Sequence, residues 1–154
     1  MLPRVIDGME ELRSVIGQEI GVGDWFEVSQ TLIDTFADLT CDRQWIHVDP
    51  ERAKVESPYG STVAHGFLTL SLVSQLHGQA VRIRGDHTRA INYGFNRVRF
   101  PAAVPAGARI RIHSTLEAVE EIPDGVQLTW AVSVEIESHP KPALVAEWLV
   151  RLYH

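Results

Sequence analysis

The run from His65 to Gln79 constrains this chain more than any other stretch. Phe67, Leu68, Leu70, Leu72, Val73 and Leu76 lie all round a helical axis instead of along one stripe. A helix that is apolar on every side must be enclosed, so the fold has to wrap something around it. Gly78 stands where it could end that helix. Beyond Arg89 the pattern changes period. Ile91–Phe100, Arg109–Ile122, Val126–Glu137 and Leu144–Tyr153 are rich in β-branched and aromatic residues, often alternating with polar ones. Pro101, Pro105 with Gly107, Asp124-Gly125, and Pro140 with Pro142 separate them as turn signals. One buried helix followed by four antiparallel strands predicts an α+β fold in which a curved sheet closes around the helix.

The amino-terminal part supplies shorter elements. Asp7 can cap a helix whose Leu12, Val15 and Ile16 face the core, and Asp24 to Val28 reads as a brief strand. Ser29 can cap a second helix with Leu32, Ile33, Phe36 and Ala37 at helical spacing. Asp49-Pro50-Glu51 has the cap, the proline and the early acid of a third, and Ser57-Pro58-Tyr59-Gly60 reads as a turn. A chain of 154 residues with no repeat, low-complexity tract or linker is expected to form one domain over 1–154.

Charge and cysteine content exclude several classes. Fourteen Lys and Arg against twenty Asp and Glu give a net charge of −6, which argues against a nucleic-acid or anionic-membrane surface. The single cysteine, Cys41, allows no internal disulfide and no Cys-rich metal site, and is expected to be a small buried filler. No apolar run reaches the ~18 residues of a membrane span, and no basic-then-apolar targeting pattern opens the chain. A cytoplasmic protein is the expectation.

The chemistry concentrates in two places. Asp42 and His47 stand five residues apart, expected in a loop after the second helix. A carboxylate and an imidazole together suit water activation, one taking a proton while the pair returns one to carbon. Eighteen residues on, Ala64-His65-Gly66-Phe67 opens the apolar helix. Its first amides lack internal partners and sit at the positive end, where an oxyanion can be received; glycine lets a carbonyl come close. Taken singly, an aspartate such as Asp42 is more often a turn or cap residue than a catalyst, a histidine such as His47 more often a hydrogen-bonded structural group, and Gly66 merely a glycine at a helix start. A metal site built from Asp42, His47, Asp49 and His65 lacks the three-ligand motif of catalytic zinc, so no metal is expected.

Together these segments resemble the MaoC-like (R)-specific enoyl-CoA hydratases, also called hydratase 2. Asp42-Arg43-Gln44-Trp45-Ile46-His47, with Ala53 six residues on, is similar to the hydratase-2 motif. Ala64-His65-Gly66-Phe67-Leu68-Thr69-Leu70-Ser71-Leu72 resembles the family's central-helix motif, and Ile91 to Pro101 the strand after it. The Gln-Trp-Ile-His form points to the nodulation-protein-N-like branch. The resemblance spans about Val28 to Val150. Many members have Gly before the aspartate and Asn-Pro within the motif, where this chain has Cys41, Gln44 and Trp45.

The resemblance implies a hot-dog fold paired into a homodimer. It further implies reversible hydration of a trans-2-enoyl thioester to the (R)-3-hydroxyacyl thioester, with no cofactor. Asp42 and His47 match the catalytic pair and Gly66 the amide that polarises the thioester carbonyl. Ser74 matches a serine that helps hold the carboxylate, and is equally a small residue of a packed helix. Gln44, Trp45, His65 and Phe67 are expected around the substrate. The thioester is expected on coenzyme A or an acyl carrier protein, with Arg82, Arg84, Arg97, Arg99 and Lys54 as candidate phosphate contacts. Two rivals remain: a hot-dog thioesterase, which would want a carboxylate on the central helix where 67–79 has none, and a non-catalytic thioester-binding subunit.

Overall fold

The computed structural model describes residues 2–154. Its frame is an antiparallel sheet of β2 (Glu19–Val22), β5 (Arg89–Arg99), β6 (Arg109–Ile122), β7 (Gly125–Ile136) and β8 (Leu144–Tyr153), in the order β2-β6-β7-β8-β5. The short β3 (Phe26–Glu27) also pairs with β6, bringing the sheet to six strands. Alternation along β6 turns Ile110, Ile112, Ser114 and Leu116 inward, so the helix-facing side is apolar. Register shifts at Leu116/Ala118 on β6 and at Asn92/Gly94 and Phe95/Arg97 on β5 bend and twist these strands, which lets a sheet of long strands curl. At the β6–β7 turn a Cβ on Gly125 would stand 2.0 Å from the Leu152 oxygen, so only glycine fits there.

The enclosed helix is α5 (Gly66–Ala80). Leu68, Val73 and Leu76 pack into the core with Ile112, Leu128 and Trp130 of the sheet. His77 is half-buried beside them, its ring edge-on to Trp130 and Trp148 at 4.5 and 5.2 Å, with Nδ1 at 3.0 Å from Ser114 Oγ. Burial lowers its pKa to about 4, so it is a neutral core residue at physiological pH.

The elements read from the sequence are present, with four differences. Gly78 does not end α5; the helix runs to Ala80 and stops where Val81 turns extended to pair β4 (Val81–Arg84) in parallel with β1 (Arg4–Asp7). That two-stranded ribbon joins segments more than seventy residues apart, and no local pattern announces it. Ile16 is 40% exposed, because α1 (Gly8–Ser14) ends before it. Nor is α5 enclosed on every side. Phe67, Ser71, Ser74 and Gln75 are exposed, since within one chain the sheet covers only part of its circumference.

The remaining helices form a layer over one end of α5: α2 (Gln30–Thr40), α3 (Trp45–Val48) and α4 (Pro50–Glu56). Ser29 Oγ accepts from the Leu32 N–H at 3.2 Å and Asp49 Oδ1 from the Arg52 N–H at 3.0 Å, two of the three caps expected; Asp7 stands at the start of α1 but its side chain accepts no capping hydrogen bond. Cys41 is not a buried filler. It is exposed and takes a left-handed conformation, φ 61°, to stop α2. That geometry is the physical reason a glycine suits the position before the aspartate. Cys41→Gly should therefore stabilise the fold by about 0.5–1 kcal/mol, read as a higher urea midpoint; an unchanged or lower midpoint contradicts this account of the turn.

Candidate active site

Asp42 follows directly from that left-handed turn. The Thr40 hydroxyl donates back to the Phe36 oxygen at 2.8 Å and accepts from the Asp42 N–H at 3.4 Å, closing the end of α2. His47 lies on the single helical turn α3, where a loop was expected. Its Nδ1 is 2.6 Å from the Val63 main-chain oxygen. A carbonyl only accepts, so Nδ1 carries the proton and Nε2 is the free, basic nitrogen. Burial lowers the His47 pKa from 6.5, outweighing the Val63 carbonyl; His65 lowers it further and Asp42 raises it. The ring is therefore neutral near pH 7.

His65 is 3% exposed and lies just before α5. Its Nε2 donates to the Asp42 main-chain oxygen at 2.9 Å, and its ring stacks on His47 with centroids 3.8 Å apart. One imidazole thus holds the Asp42 backbone and stacks against the His47 ring. Its Nδ1 is buried and has no hydrogen-bond partner among the described residues.

Phe36, Thr40, Asp42, His47, His65, Gly66, Phe67 and Phe100 line one cavity of about 460 Å³. A second, of about 880 Å³, shares His47, Gly66 and Phe100 with the first and extends past Gln44 and Tyr59. Gly66 opens α5, whose first amides have no partner within the helix and no capping side chain. A Cβ there would lie 3.2 Å from the Phe100 ring, so the absence of a side chain keeps this corner open. The arrangement offers a carboxylate, a neutral imidazole nitrogen and a main-chain donor around one space.

Of the residues singled out in the sequence, Asp42, His47, His65, Gly66 and Phe67 meet in the smaller cavity, and Gln44 lines the larger one. Trp45 lines neither. Two positions from His47 on one helical turn, it points elsewhere and carries the Arg52 guanidinium 4.3 Å over its ring. Ser74 is also absent from both; eight residues along α5 from Gly66, it lines a separate hollow with Asn92, Phe95 and Trp148. Asp42, His47 and His65 each offer a ligand atom within 4.8 Å of the others. The two imidazole rings of this group are stacked, with centroids 3.8 Å apart and planes 23° from parallel.

The sequence reading missed Gln30. Its Nε2 donates to the His47 main-chain oxygen at 2.8 Å and to Asp34 Oδ1 at 2.9 Å, and its Oε1 accepts from the buried Thr62 hydroxyl. It thereby ties α3 to the segment whose Val63 oxygen orients His47. A glutamine in the first turn of an amphipathic helix carries no signal of this.

The model of the MaoC-like domain matches residues 11–136. The chain belongs to the MaoC-like dehydratase family. Accordingly it is a hydro-lyase, and its wrapped helix is the hot-dog fold. The chain is 47% identical over 149 residues to 3-hydroxyacyl-thioester dehydratase Z of Mycobacterium tuberculosis, covering 96% of this chain and 97% of that one. It is 46% identical over 142 residues to Nodulation protein N of Rhizobium leguminosarum, covering 92% and 88%, in line with the branch read from Gln-Trp-Ile-His. Among solved structures it superposes on a monoamine oxidase regulatory protein from Archaeoglobus with TM-score 0.76 at 26% identity, over 99% and 98% of the two chains. An R-hydratase of Pseudomonas aeruginosa matches with TM-score 0.69 at 19% identity, over 90% and 82%, a likeness of fold.

If Gln30 holds this MaoC-like site together, Gln30→Ala should cost about 1–3 kcal/mol by leaving the buried Thr62 hydroxyl unpaired, measured by urea unfolding. An undiminished stability would show that Gln30 ties nothing.

Proposed function

We propose that this MaoC-like hydro-lyase adds water reversibly to a trans-2-enoyl thioester, giving the (R)-3-hydroxyacyl thioester. The observation that carries the reading is the lining of one cavity by the Asp42 carboxylate, the free Nε2 side of His47 and the amide end of α5 at Gly66. The thioester oxygen accepts from the Gly66 N–H, which draws electrons from C3 and receives the enolate charge as it forms. Asp42 and His47 hold one water over C3. His47 Nε2 takes a proton as the water oxygen bonds to C3, leaving the electron pair of the C2=C3 bond in the enolate; the carboxylate orients the water, and the His47 imidazolium then returns that proton to C2, which restores the neutral ring. The reverse path is dehydration, which agrees with the name of the mycobacterial relative. The (R) configuration rests on the resemblance of Asp42 to His47 to the hydratase-2 motif.

The pair is also proposed to work in a homodimer. β5 is an edge strand with Ile91 and Tyr93 exposed, and it stands beside the open side of α5, where Phe67 is 68% exposed. A second copy set against that edge would cover apolar surface and close the cavity that Phe67 leaves open.

Asp42→Asn and His47→Gln should each lower hydration of crotonyl-CoA by at least ~10² with the fold retained. Near-normal turnover in either would overturn the assignment. Because His47 must be neutral to accept a proton and burial lowers its pKa, kcat/KM should fall as the pH drops below a midpoint under 6.5. A limb lying above that value would mean His47 is not the base. Sedimentation should give a dimer, and Ile91→Lys on the edge should shift it toward monomer; a monomeric unaltered chain excludes the pairing.

A further inference from the structure

None of the cations expected to contact phosphate lines either cavity at His47. Arg97 and Arg99 lie in a groove on another part of the sheet, among Glu19, Glu117 and Glu147. Arg82 lines a separate hollow with His87, and Lys54 is paired with Glu51 at 2.8 Å. Among the described residues the Lys or Arg that does line a His47 cavity is Lys141, on the larger, 880 Å³ groove, with His139 beside it. In a chain of net charge −6, that groove has no Asp or Glu along its lining. An anion repelled by most of this surface would meet only positive or neutral groups there.

The turn that presents Lys141 is stiff. Pro140 and Pro142 flank it, Ser138 takes φ 59°, and the His139 ring nitrogen Nδ1 lies 2.9 Å from the Lys141 oxygen and 3.1 Å from its N–H. The ammonium has no carboxylate partner among the described residues. The two cavities also have different characters. The smaller holds Asp42 and the rings of Phe36 and Phe67, where the reacting carbons belong. Gly66 and Phe100 stand at the boundary, so a thioester seated at Gly66 must send its sulfur-side arm into the larger groove.

We infer that the 880 Å³ groove is the channel for a phosphopantetheine arm, and that Lys141, with His139 beside it, receives the arm's phosphate. The inference rests on the hydratase reading and extends it to the carrier. Phosphopantetheine is common to coenzyme A and to acyl carrier proteins, and Lys is a compact point charge suited to its phosphate.

The test compares one enoyl chain carried on pantetheine, on 4′-phosphopantetheine, on coenzyme A and on an acyl carrier protein. The unaltered chain should have a higher kcat/KM on every phosphate-bearing arm than on pantetheine. Lys141→Glu should reduce that preference about tenfold, and Lys141→Arg should largely keep it. The loss should be complete between pantetheine and phosphopantetheine, whichever carrier follows. An equal loss on all arms, or none, overturns the inference. So does a loss that emerges only between phosphopantetheine and coenzyme A, which would place the nucleotide at Lys141. Failure of the unaltered chain to turn over any arm would overturn the hydratase reading itself, and this inference with it.

Discussion

The hydrogen bond from the His47 ring to the Val63 oxygen, 2.6 Å long, decides what kind of group His47 is. It assigns the proton to Nδ1 and leaves Nε2 as a base. It also joins α3 to the strand-like segment that leads into α5, where the Val63 N–H in turn donates to the Ile46 oxygen at 3.1 Å. The His47 ring and the amide end of α5 are thereby carried by one hydrogen-bonded unit. Gln30 fastens that unit from behind through the His47 oxygen and Thr62. A ring anchored at one nitrogen and stacked on a second ring has little freedom left, which is what proton transfer over a fixed distance requires.

The environments of the two titrating groups differ in kind. Asp42 is exposed and has its main chain held by His65, while His47 is half-buried and kept neutral chiefly by loss of solvent. The same layer of short helices that shields His47 also turns Phe36 toward the cavity, so local dryness and pocket shape arise from one packing choice.

Legibility in the sequence followed how local each cause was. Ser29 and Asp49 act on amides a few residues away, and their caps could be read directly. The four long strands were visible through their β-branched and aromatic content, and burial alternates clearly along β6. Asp42, His47 and Gly66 stood out through residue type and spacing. Gln30 did not, since its partners are 17 and 32 residues away and its own neighbourhood is that of a surface helix. Cys41 was misread because a lone cysteine is commonly buried, whereas its backbone angle here, at the end of α2, is set by the chain reversal.

The order of amino acids was sufficient to require a long apolar helix within an antiparallel sheet, and to bring an acid, an imidazole and a helix-opening glycine into view as one chemistry. Period and residue type are properties of neighbours along the chain, so they survive without coordinates. Which His47 nitrogen is free, which face of α5 stays open, and which cations reach the groove are properties of neighbours in space. Arg97 and Lys141 look alike along the chain, and only folding puts one among carboxylates and the other on a cavity without any.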